Sequence, residues 1–166
     1  MMDIIQKKVD ALDEQILIEY QKDASVTYQA LSEKMGLPTS TVFNRIKKMQ
    51  DSGIIQNIIP LVDPLALGFK TTAWIKLSID MKEDCCKVAE KIAKNRKLLE
   101  VHEVAGDWDI LAKVKVYDNL DLHDLAKELI QISEVSRIST LIALKTIKEE
   151  HILPIEEYYL SKPGAK

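Results

Sequence analysis

Residues 30–53 read ALSEKMGLPTSTVFNRIKKMQDSG, and this stretch decides the first fold unit. Its apolar residues recur at helical spacing on both sides of Gly36, and Gly53 stops the second run. Thr27 can cap the first helix, which turns Ala30, Leu31 and Met35 inward. The second turns Val42, Ile46 and Met49 inward. Just upstream, Asp10 can cap a further helix with Leu12, Ile16, Leu17 and Tyr20 on one face, broken by Lys22-Asp23-Ala24-Ser25. One helix followed by a pair joined through a tight glycine turn is the helix-turn-helix outline.

The outward face of the last helix carries Ser40, Thr41, Asn44, Lys47 and Lys48, with Thr39 at its start and Arg45 at its flank. No acid occurs from residue 37 to residue 50, although the chain has a formal net charge of -3. Lysine reaches phosphate, asparagine reads the N6/N7 edge of adenine, and serine or threonine serves backbone or base. A solvated surface helix can also be basic. Here the helix is the second of a tight pair, and the acids of this region gather in the first helix, so double-stranded DNA is the expected partner. Arg45 can meet either phosphate or a carboxylate of the first helix; we count it with the phosphate contacts.

With 166 residues and 18.9 kDa the chain has room for one ordinary domain or two small ones. Hydrophobic residues make up 46% and charged residues 30%, which points to a soluble globular protein. No apolar run approaches the roughly 18 residues of a membrane span, and MMDIIQKKVD lacks an apolar signal core, so a cytoplasmic location without membrane contact is expected. Cys85 and Cys86 are the only cysteines and are adjacent, so they read as reduced thiols. His102, His123 and His151 are scattered, no metal-ligand spacing occurs, and no cofactor is expected.

From residue 54 to residue 70 the stretch IIQNIIPLVDPLALGFK reads as a strand and linker, since Pro60 and Pro64 exclude a regular helix. Beyond it, Ile75, Leu77 and Ile79 alternate with polar residues as in a half-buried strand. A helix follows with Cys85, Val88, Ala89, Ile92 and Ala93 on one face. Strands LLEVHEVA and DILAKVKVYD meet at a turn through Gly106-Asp107. A second helix sets Leu122, Leu125, Ala126, Leu129 and Ile130 inward, and VSRISTLIALK closes the order β-α-β-β-α-β. Both helices cover one face of such a sheet. Trp74, Leu111, Leu141 and Ala143 fall on the other, so self-association through that face is expected.

The segments VDALDEQIL, ALSEKMGLPTSTVFNRIKKMQDSGII, VDPLALGF, GDWDILAKV and RISTLIAL stand in an order and spacing, over residues 9 to 148, that resembles the Lrp/AsnC (feast/famine) transcription regulators. The resemblance implies an α+β chain: a winged or helix-turn-helix DNA-binding domain at 1–60, a linker strand at 61–70, a ferredoxin-like βαββαβ effector and oligomerisation domain at 71–149, and a C-terminal tail at 150–166. It also implies homodimers through the sheet and assembly into rings, commonly octamers. A small-molecule effector, mostly an amino acid, would bind at the contact between dimers beside Gly106, Asp107, Trp108 and Asp109. An amino acid needs an acid for its ammonium and backbone N–H groups for its carboxylate, which a glycine turn supplies. Asp107 or Asp109 would take the ammonium, and Ser139 and Thr140 on the facing strand the carboxylate or side chain.

Three positions depart from the family's habit. Pro38 stands where serine is frequent, so the recognition helix needs another cap, for which Thr39 is the candidate. Ser25 stands where many members have arginine, and Trp108 where tyrosine is usual. Two other readings compete: a siroheme-decarboxylase-like enzyme using His102, and an effector-binding scaffold without DNA binding. Lone histidines lack the partners that acid-base chemistry needs, and Lys47 and Lys48 count against the scaffold.

Overall fold

A computed structural model describes residues 9–156, which divide into two compact units, 9–60 with 150–156 and 61–149. The first unit holds α1 (Ala11–Lys22), α2 (Tyr28–Met35) and α3 (Thr39–Asp51). Asp10 starts α1 through a capping box: its carboxylate accepts the N–H groups of Leu12 and Asp13, while Asp13 accepts the N–H of Asp10. Thr27 Oγ1 accepts the Ala30 N–H at 3.1 Å to start α2. Gly36 ends α2 at φ 66°, a left-handed turn natural to glycine, and Leu37 N–H returns to the Ser32 carbonyl at 3.0 Å.

Ile16, Tyr20, Leu31, Val42, Ile46 and Met49 form the core of this unit. The expected stripe of α3 is therefore buried in full. On α2, by contrast, Ala30 is exposed and Ser32 takes the inner place. Ser32 can do so because its hydroxyl donates to the Gln29 carbonyl at 2.7 Å and so needs no water. Its oxygen lies 2.9 Å from Thr39 Oγ1, and with its own proton already given, Thr39 donates. Thr39 therefore ties α3 to α2 and is not a helix cap. Pro38 is the N-cap, with no side-chain bond; its carbonyl accepts the N–H groups of Thr41 and Val42.

The segment 150–156 belongs to this first unit, where Leu153 exchanges two hydrogen bonds with the Gln21 amide and Glu156 pairs with Lys22. Residues 56–63 contain no strand. A strand is expected in this stretch, but a strand needs a ladder partner, and the described residues offer none at this place. Ile58, Ile59, Leu61 and Val62 are left exposed. A tight turn follows, with Phe69 N–H on the Pro64 carbonyl at 2.9 Å and the Phe69 ring stacked on Tyr117.

The second unit comprises β1 (Thr71–Ile79), α4 (Cys85–Ile92), β2 (Leu98–Glu103), β3 (Ile110–Val116), α5 (Asn119–Ile130) and β4 (Val135–Ile142). The sheet runs β2-β3-β1-β4 with every neighbouring pair antiparallel, the ferredoxin-like order. Asp84 and Asp118 cap the two helices. Val88 and Ile92 of α4, with Leu122, Leu125 and Leu129 of α5, cover Ala73, Ile75, Leu77, Ile110 and Val114 of the sheet. Ala93, expected on the inner face, is exposed just past the end of α4.

Among the described residues no helix covers the other face of the sheet. Trp74, Lys76 and Ser78 of β1 stand in register with Leu141, Ser139 and Arg137 of β4, and on the other side Trp74 and Lys76 face Lys113 and Leu111 of β3. The chain after β4 crosses part of this face. Glu149 reaches Lys113 at 2.6 Å and Lys115 at 2.5 Å, which holds its carboxyl down at about 2.

Candidate functional site

Two candidate constellations stand out, one in each unit. The first is the outward face of α3. Val42, Ile46 and Met49 fix the helix by its buried stripe, so rotation is not free and the residues between them must point out. Ser40, Asn44, Lys47 and Lys48 are exposed there and Thr41 is half-buried.

Five cations lie between residues 9 and 60, and their partners separate them. Lys22 and Lys34 both bond Glu19, and Arg45 bonds Asp10 at 2.5 Å and Asp13 at 2.8 Å. Lys47 and Lys48 have no carboxylate partner among the described residues. The two cations of residues 9–60 without a described carboxylate partner are thus neighbours on one helix face, where the lattice of phosphates on a duplex would supply their counter-charge.

Arg45 is a correction to the expected DNA contacts. Its guanidinium fastens α3 to the first turn of α1, where the Asp13 side chain is only 5% exposed. Hydrogen bonding to Arg45 holds the Asp10 carboxyl below its usual range, and the same bond raises the arginine. Leaving Asp13 for a phosphate would strand a buried carboxylate, so we remove Arg45 from the DNA-facing set. Phe43 was missed by the sequence reading. It is 43% exposed, set edge-on to Tyr28 with ring centroids 5.5 Å apart, and adds an apolar group to the outward face. Its signal was an aromatic ring lying off the buried stripe.

The second constellation is the turn from Val104 to Asp109. Val104 N–H meets the Asp109 carbonyl at 2.9 Å, closing the loop, and Asp109 N–H meets Leu77 at 3.0 Å. Gly106 has φ 141° with open space where a Cβ would be, so backbone conformation and not crowding calls for glycine. The two aspartates differ in freedom. Asp109 Oδ2 accepts the Ile79 N–H at 2.9 Å, beside the register shift at Ser78/Ile79, and so holds the turn to β1. Asp107 is exposed and its carboxylate has no partner among the described residues, while its carbonyl accepts Arg137 Nη2 at 3.1 Å.

Trp108 carries two cations over its ring, Lys76 Nζ at 4.9 Å and Arg137 Cζ at 4.1 Å from the centroid. Neither was anticipated, because only the strand register brings β1 and β4 side chains to the turn. Ser139 shares the row of Lys76 and belongs to this side of the sheet. Thr140 does not. It is in register with Ile75, a core residue, so it stands in a row of the helix-covered face and leaves the expected pocket.

His102 lies 3.4 Å from Glu100, which also accepts from Lys113. Among the described residues no group of three or more His, Cys, Asp or Glu side chains is arranged to hold a metal ion, and no helix is long and apolar enough to cross a membrane.

Comparison with known proteins covers both units. Residues 9–56 match a winged helix-turn-helix DNA-binding model, and residues 71–153 match the Lrp/AsnC ligand binding domain. The HTH-type transcriptional regulator FL11 of Pyrococcus abyssi is 32% identical over 148 residues, covering 89% of this chain and 97% of the relative. The crystal structure of an AsnC family transcriptional regulator from Agrobacterium tumefaciens superposes with a TM-score of 0.82 at 28% identity, covering 90% of this chain and 99% of that one. A transcriptional regulator from Neisseria meningitidis, solved as a complex with L-Met, gives a TM-score of 0.82 at 25% identity, covering 91% and 99%. The chain belongs to the Lrp/AsnC family and is a DNA-binding transcriptional regulator that responds to a small-molecule effector.

Proposed function

We propose that α3 is the recognition helix, with Lys47 and Lys48 on phosphates, Asn44 on a base edge, and Ser40 and Thr41 on backbone or base. The observation that carries this is the pair of unneutralised lysines on the outward face of α3, where every other described cation of residues 9–60 has a carboxylate. One such helix offers few phosphate contacts and would bind weakly. Two copies joined through the uncovered sheet face would bring two helices to the duplex, one helical turn or about 34 Å apart, and would prefer a palindromic site. The half-buried and exposed Trp74, Leu111 and Leu141 on that face support pairing, and further assembly of pairs into rings such as octamers is the family expectation.

The effector of this reading is an amino acid at the Gly106–Asp109 turn, its ammonium on Asp107. The Neisseria relative's L-Met complex supports an amino acid, and the free carboxylate of Asp107 supports the placement. Asp109 contributes by holding the turn in shape, not by meeting the ligand. Effector at a contact between copies would alter assembly and through it the set of DNA sites that can be held together.

Fluorescence anisotropy of a labelled duplex against salt concentration tests the DNA half. Affinity should fall steeply with salt, with a log-log slope near -0.9 for each phosphate contacted. A flat response, or no binding at low salt, removes α3 from the role. Asn44→Ala should relax preference at a single base position, on the order of 1–3 kcal/mol, while leaving the salt slope in place.

A further inference from the structure

Three lysines rise from the outward face of the sheet, and two of them are neutralised. Lys113 lies between Glu100 and Glu149, and Lys115 pairs with Glu149. Lys76, half-buried on the same face, has no carboxylate among the described residues. What it has is the Trp108 ring, and it shares that ring with a second cation, Arg137. Two positive groups brought to one indole repel each other, and a ring quadrupole compensates a cation far less than a carboxylate does. Arg137 donates one N–H to the Asp107 carbonyl, and the rest of its five-donor fork is unused among the described residues.

The turn therefore presents a definite charge pattern. Asp107 is the one acid there without a backbone commitment, since Asp109 is held on the Ile79 N–H. Beside it stand two uncompensated cations. A neutral amino acid would satisfy Asp107 and one cation and leave the other unmatched. A ligand with one ammonium and two carboxylates matches all three.

We propose that the effector is an acidic amino acid, of the aspartate or glutamate class, with its ammonium on Asp107, its two carboxylates on Lys76 and Arg137, and Trp108 as the wall between them. This inference rests on the effector site proposed above. Ser139, in register with Lys76, stands within the same row to hydrogen-bond a carboxylate. The guanidinium is suited to grip one carboxylate with two parallel bonds, and the flexible lysine to follow the other.

Isothermal titration of the full chain with L-glutamate, L-aspartate, their amides L-glutamine and L-asparagine, and L-methionine tests the proposal. One of the two acids is expected to bind at least ten-fold more tightly than its own amide and than L-methionine. Lys76→Met and Arg137→Met should each weaken that acid ten-fold or more. The wild-type comparison of acid with amide decides the matter even where a variant fails to fold. An amide or L-methionine binding as tightly as the acids, and lost in Asp107→Asn, would overturn acidic selection while the effector turn stands. No heat with any of the five would overturn both.

Discussion

The outward face of α3 and the uncovered face of the sheet are both rich in lysine, yet they are built for different partners. On α3, Lys47 and Lys48 stand beside Ser40, Asn44 and Phe43, with no carboxylate in ion-pair contact among the described residues. On the sheet, Lys113 and Lys115 are held by Glu100 and Glu149, and Trp74, Leu111 and Leu141 share their face. Unpaired charge on a polar surface draws a polyanion, whereas neutralised charge among apolar side chains suits a second protein surface. The residue type alone does not tell the two apart. Its neighbours do.

Four variants break this comparison, in decreasing order of effect. Lys47→Ala with Lys48→Ala removes four phosphate contacts from a dimer and should lower DNA affinity by roughly a thousand-fold or more near 0.1 M salt. Sedimentation should show self-association unchanged. Leu141→Glu puts a charge in the proposed sheet interface and should weaken pairing by about 3 kcal/mol or more, over a hundred-fold. Analytical ultracentrifugation reads it directly, and a normal dimer would move the interface elsewhere.

Arg45→Ala marks the contrast within α3 itself. Losing the guanidinium leaves the buried Asp13 with only its capping bond, so chemical denaturation should show a loss of about 2 kcal/mol. The salt slope of DNA binding should stay where it was, unlike that of the lysine variants.

Glu149→Gln has the smallest effect, about 1 kcal/mol, because surface pairs are weak. Its sign with pH is fixed. The carboxyl is lowered from 4.5 to about 2 by Lys113 first and Lys115 second, so its contribution is whole above pH 4.5 and fades as pH falls toward 2. Thermal melts of wild type and variant should therefore converge across that window, and parallel curves would show that Glu149 is not engaged in solution.

Much of this architecture was legible in residue order. Asp10 and Thr27 as caps, Gly36 as a stop, and the stripe Val42, Ile46 and Met49 follow from local rules, and so does the βαββαβ order from the change of period at residue 71. What failed depended on partners distant in sequence. Arg45 was placed on the helix flank, but only packing of α1 on α3 shows that Asp10 and Asp13 claim it. Residues 56–63 were expected to include a strand and have none to pair with among the described residues. Lys76 and Arg137 reach Trp108 through strand register, which periodicity cannot supply. Ser32 entered the core because its hydroxyl is satisfied by Gln29, a bond that composition hides. Thr140 is the opposite case: adjacent residues of a strand face opposite sides, so its separation from Ser139 was legible from the period alone.

The salt dependence of DNA binding, compared between wild type and the Lys47→Ala, Lys48→Ala double variant, reports contact and pairing together. If two copies each lay both lysines on phosphate, the log-log slope becomes shallower by roughly 3.6, four contacts at about 0.9 each. A change near half that value would mean that only two of the four contacts form, and an unchanged slope would mean that these lysines never touch the duplex.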